Sequence, residues 1–125
     1  MKTQLNNEDI QLHQINARID SEAKERLKKN YSSQTNTYTH QILSAINTLY
    51  AKSASWQKVE DLPQIKSIRS ARITTRLPKD ALEKIEKIYK VIRTHLDEKS
   101  FKKMYNINGI KNGDSQASLI IALAL

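Results

Sequence analysis

Two short stretches of the 125-residue chain alternate strictly between polar and apolar residues, and they share one register. Gln14-Ile15-Asn16-Ala17-Arg18-Ile19 puts Ile15, Ala17 and Ile19 on one face; Arg72-Ile73-Thr74-Thr75-Arg76-Leu77 does the same with Ile73, Thr75 and Leu77. A period of two over six residues predicts a short strand. The strand ends Ile19 and Leu77 are 58 positions apart (77 − 19). A six-residue strand cannot stand alone, because its backbone N–H and C=O groups need a partner. Each strand is therefore expected to find that partner in the other.

The residues after each strand repeat a pattern too. After Ile19, Asp20 is a candidate N-cap and Glu22 puts negative charge in the first turn, so a helix is expected through Leu27 to about Lys29. A polar turn, Asn30 to Asn36, leads to a second helix in which Tyr38, Ile42, Ala45, Ile46 and Leu49 recur at helical spacing, with Thr37 as the cap. After Leu77, Pro78 suits the first helical position. Leu82, Ile85, Ile88, Tyr89, Ile92 and Leu96 then form a long apolar stripe. Residues 97 to 114 read as irregular, with Gly109 and Gly113 marking turns. Ser115 is the expected cap of a final apolar helix over Ser118 to Leu125, too short for a bilayer.

The expected fold is mainly α with one short two-stranded antiparallel β-ribbon, made of two strand-helix-helix repeats in one chain. Residues 1–12 read as a flexible arm, 13–50 as the first repeat and 51–69 as an ordered linker. Residues 70–125 make the second repeat. In the linker Trp56, Val59, Leu62, Ile65 and Ile68 are placed to cover apolar surface.

These residues carry a resemblance. Arg72-Ile73-Thr74-Thr75-Arg76-Leu77-Pro78-Lys79-Asp80-Ala81-Leu82-Glu83-Lys84-Ile85 and Gly113-Asp114-Ser115-Gln116-Ala117-Ser118-Leu119-Ile120 resemble the ribbon-helix-helix family of DNA-binding proteins. With two different units in one chain, the sequence resembles the tandem subclass, a monomeric pseudo-dimer. Relaxosome accessory proteins of the TraY type share that layout. The first unit departs from the pattern in lacking a turn glycine and in carrying Gln41 where an apolar residue is usual. The second unit has a longer first helix.

On a ribbon packed against its own helices, the polar face is exposed. That face would be Gln14, Asn16 and Arg18 on one strand and Arg72, Thr74 and Arg76 on the other. Arg forks onto guanine O6 and N7, Asn and Gln pair with adenine N6 and N7, and Thr bonds either way or touches a thymine methyl. The competing reading is that polar residues merely keep an exposed strand soluble; sharing of Arg18 and Arg76 at one register weighs against it. The resemblance further implies that the N-termini of the second helices, Thr37, Tyr38 and Thr39 in one unit and Ser115, Gln116 and Ala117 in the other, grip DNA phosphates through backbone N–H groups. Lys79 is a further phosphate candidate, as are Lys66, Arg69 and Lys111, with a solvated basic face as the stronger competing reading for each. Two different strands would match an asymmetric DNA site rather than a palindrome.

Charge fits an anionic partner. There are 21 Lys+Arg against 13 Asp+Glu, a net +8. Residues 1–62 hold 8 basic and 7 acidic residues, so residues 63–125 hold 13 and 6, and the second part carries +7 of the total. Zero Cys removes disulfides, thiolate zinc sites and cysteine nucleophiles, and fits a cytoplasmic location. Met1-Lys2-Thr3-Gln4 has no apolar segment behind it, so no secretory signal is expected. His13, His40 and His95 have no short ligand spacing. Phosphate-loop, nucleophile-elbow and HExxH motifs are absent, so neither an enzyme nor a metal or other cofactor is expected.

The sequence thus points to double-stranded DNA as partner, with no membrane. The resemblance adds a relaxase or other relaxosome proteins, and leaves open multimers on DNA. A transcriptional repressor of the same fold and a basic helical module docking an acidic protein are the rival readings. RNA fits less well, since neither strand face carries an aromatic residue for stacking bases.

Overall fold

The computed structural model describes residues 11–32, 37–64, 70–105 and 116–125. In chain order the elements are β1 (Leu12–Ile19), α1 (Ser21–Lys29), α2 (Tyr38–Ser53), a 3-10 turn (Val59–Asp61), β2 (Ala71–Pro78), α3 (Lys79–His95), α4 (Glu98–Tyr105) and α5 (Gln116–Ala124). The chain is mostly helical, with one two-stranded antiparallel sheet among the described residues.

Both expected strands form, each longer than the alternating stretch. Leu12 belongs to β1 rather than to the arm expected over residues 1–12. Residues 1–10 of that arm lie outside the described residues. The pairing runs from Leu12 opposite Pro78 to Ile19 opposite Ala71, with Asn16 opposite Thr74. This register has a numerical property. Residue i of β1 and residue i + 58 of β2 exchange places about the Asn16–Thr74 pair, which is the one pair whose members are themselves 58 apart.

Alternation places Ala17, Ile19, Ile73, Thr75 and Leu77 on the buried face, with Ile15 half-buried. That face rests on helices: β1 lies against α5 and β2 against α2, while α2, α3 and α5 contact one another beneath them. Ile42 and Ile46 of α2, Ile85, Ile88 and Ile92 of α3, and Leu119, Ile120 and Ile121 of α5 form the centre of the core. Each such side chain contributes on the order of 1.5–3 kcal/mol of burial free energy. In the first helix after each strand, the buried positions keep the same offset: Ala23 and Leu27 in α1, Ala81 and Ile85 in α3.

Two polar side chains tie elements of the core together. The hydroxyl of fully buried Ser118 accepts from the Arg18 backbone N–H at 2.9 Å, tying α5 to β1. Gln41 Nε2 donates to the Leu27 carbonyl at 3.0 Å, which satisfies an orphan carbonyl in the last turn of α1. That bond gives a physical reason for a polar residue at this position on the inner side of α2.

Several boundary expectations are corrected. Pro78 ends β2 and is the N-cap of α3 rather than its first helical residue. Asp20 is the N-cap of α1 without a side-chain cap bond; its carbonyl takes the first helical bond, from Lys24 N at 3.1 Å. α2 continues to Ser53, past the expected end of the first repeat at residue 50. In the linker Leu62 is buried and Trp56 half-buried against the core, but Val59 is 41% exposed and covers little. Ile65 and Ile68 lie outside the described residues.

The largest correction concerns the segment read as irregular from residue 97. Its first part is α4, started by Asp97, whose carboxylate accepts from Ser100 N at 2.7 Å. That bond holds the Asp97 carboxyl below its ordinary value. Asp61, at the 3-10 turn, is lowered in the same way by N–H groups of Gln57 and then Lys58. α4 buries Phe101 and Tyr105, with Phe101 edge-on to both Tyr89 and Tyr105. The Arg93 guanidinium stacks 4.7 Å from the Phe101 ring centre. Tyr105 donates to the Pro63 carbonyl at 2.9 Å and so fastens the linker to α4; burial pushes its hydroxyl up to about 12. Gly109, Gly113 and Ser115 lie outside the described residues.

Candidate nucleic-acid interface

The outward face of the ribbon is built by the same alternation that builds the core. Gln14, Asn16, Arg18, Arg72, Thr74 and Arg76 are all exposed, and the register groups them in three cross-strand pairs: Gln14–Arg76, Asn16–Thr74 and Arg18–Arg72. The structure therefore brings together all six residues singled out from sequence for base contact. At the centre, Thr74 Oγ1 donates to Asn16 Oδ1 at 2.8 Å, clamping the middle of the face.

The electrostatics of this surface are one-sided. Its six side chains include three arginines and no carboxylate. Arg18 and Arg72 stand directly opposite each other, an arrangement that costs stability on a bare sheet. Among the described residues neither makes an ion pair with an acidic side chain. A shallow depression of about 360 Å³ lies between them, lined by Asn16, Ala17, Arg18, Arg72, Ile73 and Thr74. A pair of strands stands about 5 Å apart before side chains are added, so such a ribbon fits a groove about 12 Å wide.

The helix N-termini are less uniform. Thr37 caps α2, its Oγ1 accepting from His40 N at 3.1 Å. Tyr38 and Thr39 open the helix and are half-buried. The Thr39 hydroxyl is hydrogen-bonded to the hydroxyl of buried Thr75 at 2.8 Å. That bond ties the N-terminus of α2 to the underside of β2, a link the sequence did not signal. In α5, Gln116 is exposed and Ala117 buried; Ser115 is outside the described residues, as are Lys66, Arg69 and Lys111. Lys79, the first residue of α3, is exposed beside the Leu12–Pro78 end of the ribbon.

Among the described residues no group of three or more His, Cys, Asp and Glu stands close enough to hold a metal ion. No helix among them is long and apolar enough to cross a membrane. A second depression, about 290 Å³, lies between α2, the linker and α5 and includes Trp56, Pro63 and Leu123. No protein-family model matches the chain, and comparison with curated proteins and with solved structures returns no match.

Proposed function

We propose that this chain is a tandem ribbon-helix-helix protein that binds double-stranded DNA sequence-specifically, with its two-stranded ribbon in the major groove. The observation that carries this reading is the ribbon's outward face: six exposed side chains able to read bases, three of them arginines, with no acid among them. A face needed only for solubility would not require like charges at opposed positions. Net +8 supplies the sequence-independent attraction to phosphate.

The tandem organisation is supported by the shared offsets. Strand positions, Ala23 with Ala81, and Leu27 with Ile85 all keep the 58-residue spacing. In each half the strand leads at once into a helix, and each strand rests on the last helix of the opposite half. The two strands differ, so the preferred site is asymmetric. The biological setting proposed is a cytoplasmic relaxosome accessory role in plasmid conjugation, working with a relaxase, because the chain resembles that tandem subclass.

The test is binding of the full chain to fragments of its host or plasmid genome, with titration of the enriched duplex afterwards. Arg18→Ala and Arg76→Ala should each weaken the specific complex by about 1–3 kcal/mol and relax base preference. Lys79→Ala should weaken all duplexes alike and flatten the salt dependence. Enriched fragments at a transfer origin support the relaxosome role; enrichment at the protein's own promoter replaces it with a repressor. Failure to shift any duplex at low salt would leave the basic surface to an acidic protein partner.

A further inference from the structure

We infer that the ribbon has a direction, set by a single pair of counterpart residues, Gln14 and Arg72. This rests on the DNA-binding reading above and specifies what each end of the face recognises. The register exchanges β1 and β2 about Asn16–Thr74, so the outward positions have counterparts: Arg18 with Arg76, Asn16 with Thr74, and Gln14 with Arg72. The first pair is identical. The second sits on the exchange axis, where it faces the middle of any site. Only the third puts different chemistry at the two ends.

Cross-strand pairing then makes the ends unequal. At the Ile19–Ala71 end, Arg18 and Arg72 stand side by side, two guanidinium forks with five N–H donors each and no acceptor. At the Leu12–Pro78 end, Arg76 stands beside Gln14, whose amide both donates and accepts. Two arginines match the O6 and N7 acceptors of guanines. A glutamine matches an adenine, which offers N7 as acceptor and N6 as donor. The first end therefore takes a guanine-rich half-site, and the second takes one guanine and one adenine. The pairs are four residues apart along each strand, about 13 Å, or on the order of four base pairs of groove. The chain lies on its site in one orientation, as a protein that positions a partner to one side of a DNA sequence requires.

Both residues are exposed and point away from the core, so exchanging them leaves the packed face untouched. The experiment is selection from a random duplex library by the full-length wild type, by Gln14→Arg and by Arg72→Gln, with thermal melting to verify that each variant stays folded. Wild type should enrich a site whose two outer positions differ, and replacing one end of that site by a copy of the other should weaken binding about tenfold. Gln14→Arg places arginine at all four outer positions and should enrich guanine at both ends. Arg72→Gln gives both ends one Arg and one Gln, and should enrich the adenine-containing half-site twice.

A wild-type consensus symmetric at its outer positions overturns the inference while leaving DNA binding intact. So does an unchanged, lopsided consensus in both folded variants. No enrichment by any of the three proteins at low salt overturns the DNA-binding reading itself.

Discussion

Residues 12–53 reach from strand to second helix by way of the nine-residue α1, whereas residues 71–124 use the seventeen-residue α3, then α4, before α5 begins. The two routes match as far as Leu27 and Ile85. Beyond that, α1 stops at Lys29, with basic residues in its last turn and Gln41 closing off the Leu27 carbonyl. α3 continues through buried Ile88 and Ile92 to His95, and buried Leu96 then leads to Phe101 and Tyr105 of α4. Starting from Tyr38 in one case and Gln116 in the other, the second helices lie 78 positions apart, 20 more than the strands. The lesson is that strand pairing and the first two helical turns are what the halves share. The additional residues build a separate aromatic flank that also secures the linker through Pro63.

The largest expected effect tests whether residues beyond the matching part carry stability. Ile88 is fully buried and has Asn30, an exposed residue, at the matching place in the first half. Ile88→Ala should cost about 2–5 kcal/mol of unfolding free energy in urea titration. A loss under about 1 kcal/mol would mean that the shared part carries the stability alone.

The second test uses pH. The Tyr105 hydroxyl ordinarily ionises at 10.0 and in the fold at about 12. Because the folded value is raised, its stabilising contribution is complete below pH 10 and is lost as pH rises from 10 to about 12. Two pH units correspond to about 3 kcal/mol. Melting temperatures of wild type and Tyr105→Phe should therefore converge or cross over that window, with wild type falling faster. Parallel curves would break the assignment of this group to the buried flank.

The smallest effect sits in the first half. Thr37→Ala removes the cap of α2 and should cost about 1 kcal/mol, largely restored by Thr37→Ser. Calorimetric melting checks it, and an effect above that of Ile88→Ala would reverse the ranking of the two halves.

The ribbon is readable in the sequence because alternation is a local signal: neighbours alone settle which positions point outward and which inward. α4 is harder to read because Gly109 and Gly113, further on, give the whole stretch the composition of a turn. Two local cues do speak for a helix: Asp97 three residues before Ser100, and Phe101 four residues before Tyr105. Other features have no local sign. Ser118 reads as one more residue of an apolar helix until β1 is laid beside it, and Thr39 meets Thr75 only after α2 docks under β2. Such contacts depend on the whole fold, and neighbouring residues do not encode them. The six-residue face is legible by type, while its grouping into two unequal ends requires the register.

Both strands of the ribbon belong to one polypeptide, and that has a consequence for how the protein behaves when scarce. Bringing β1 to β2 is a unimolecular event, so diluting the protein does not pull the strands apart as it would a pair held by association between chains. The pairing of the ribbon needs no second copy, and its two unlike strands are always present in a one-to-one ratio.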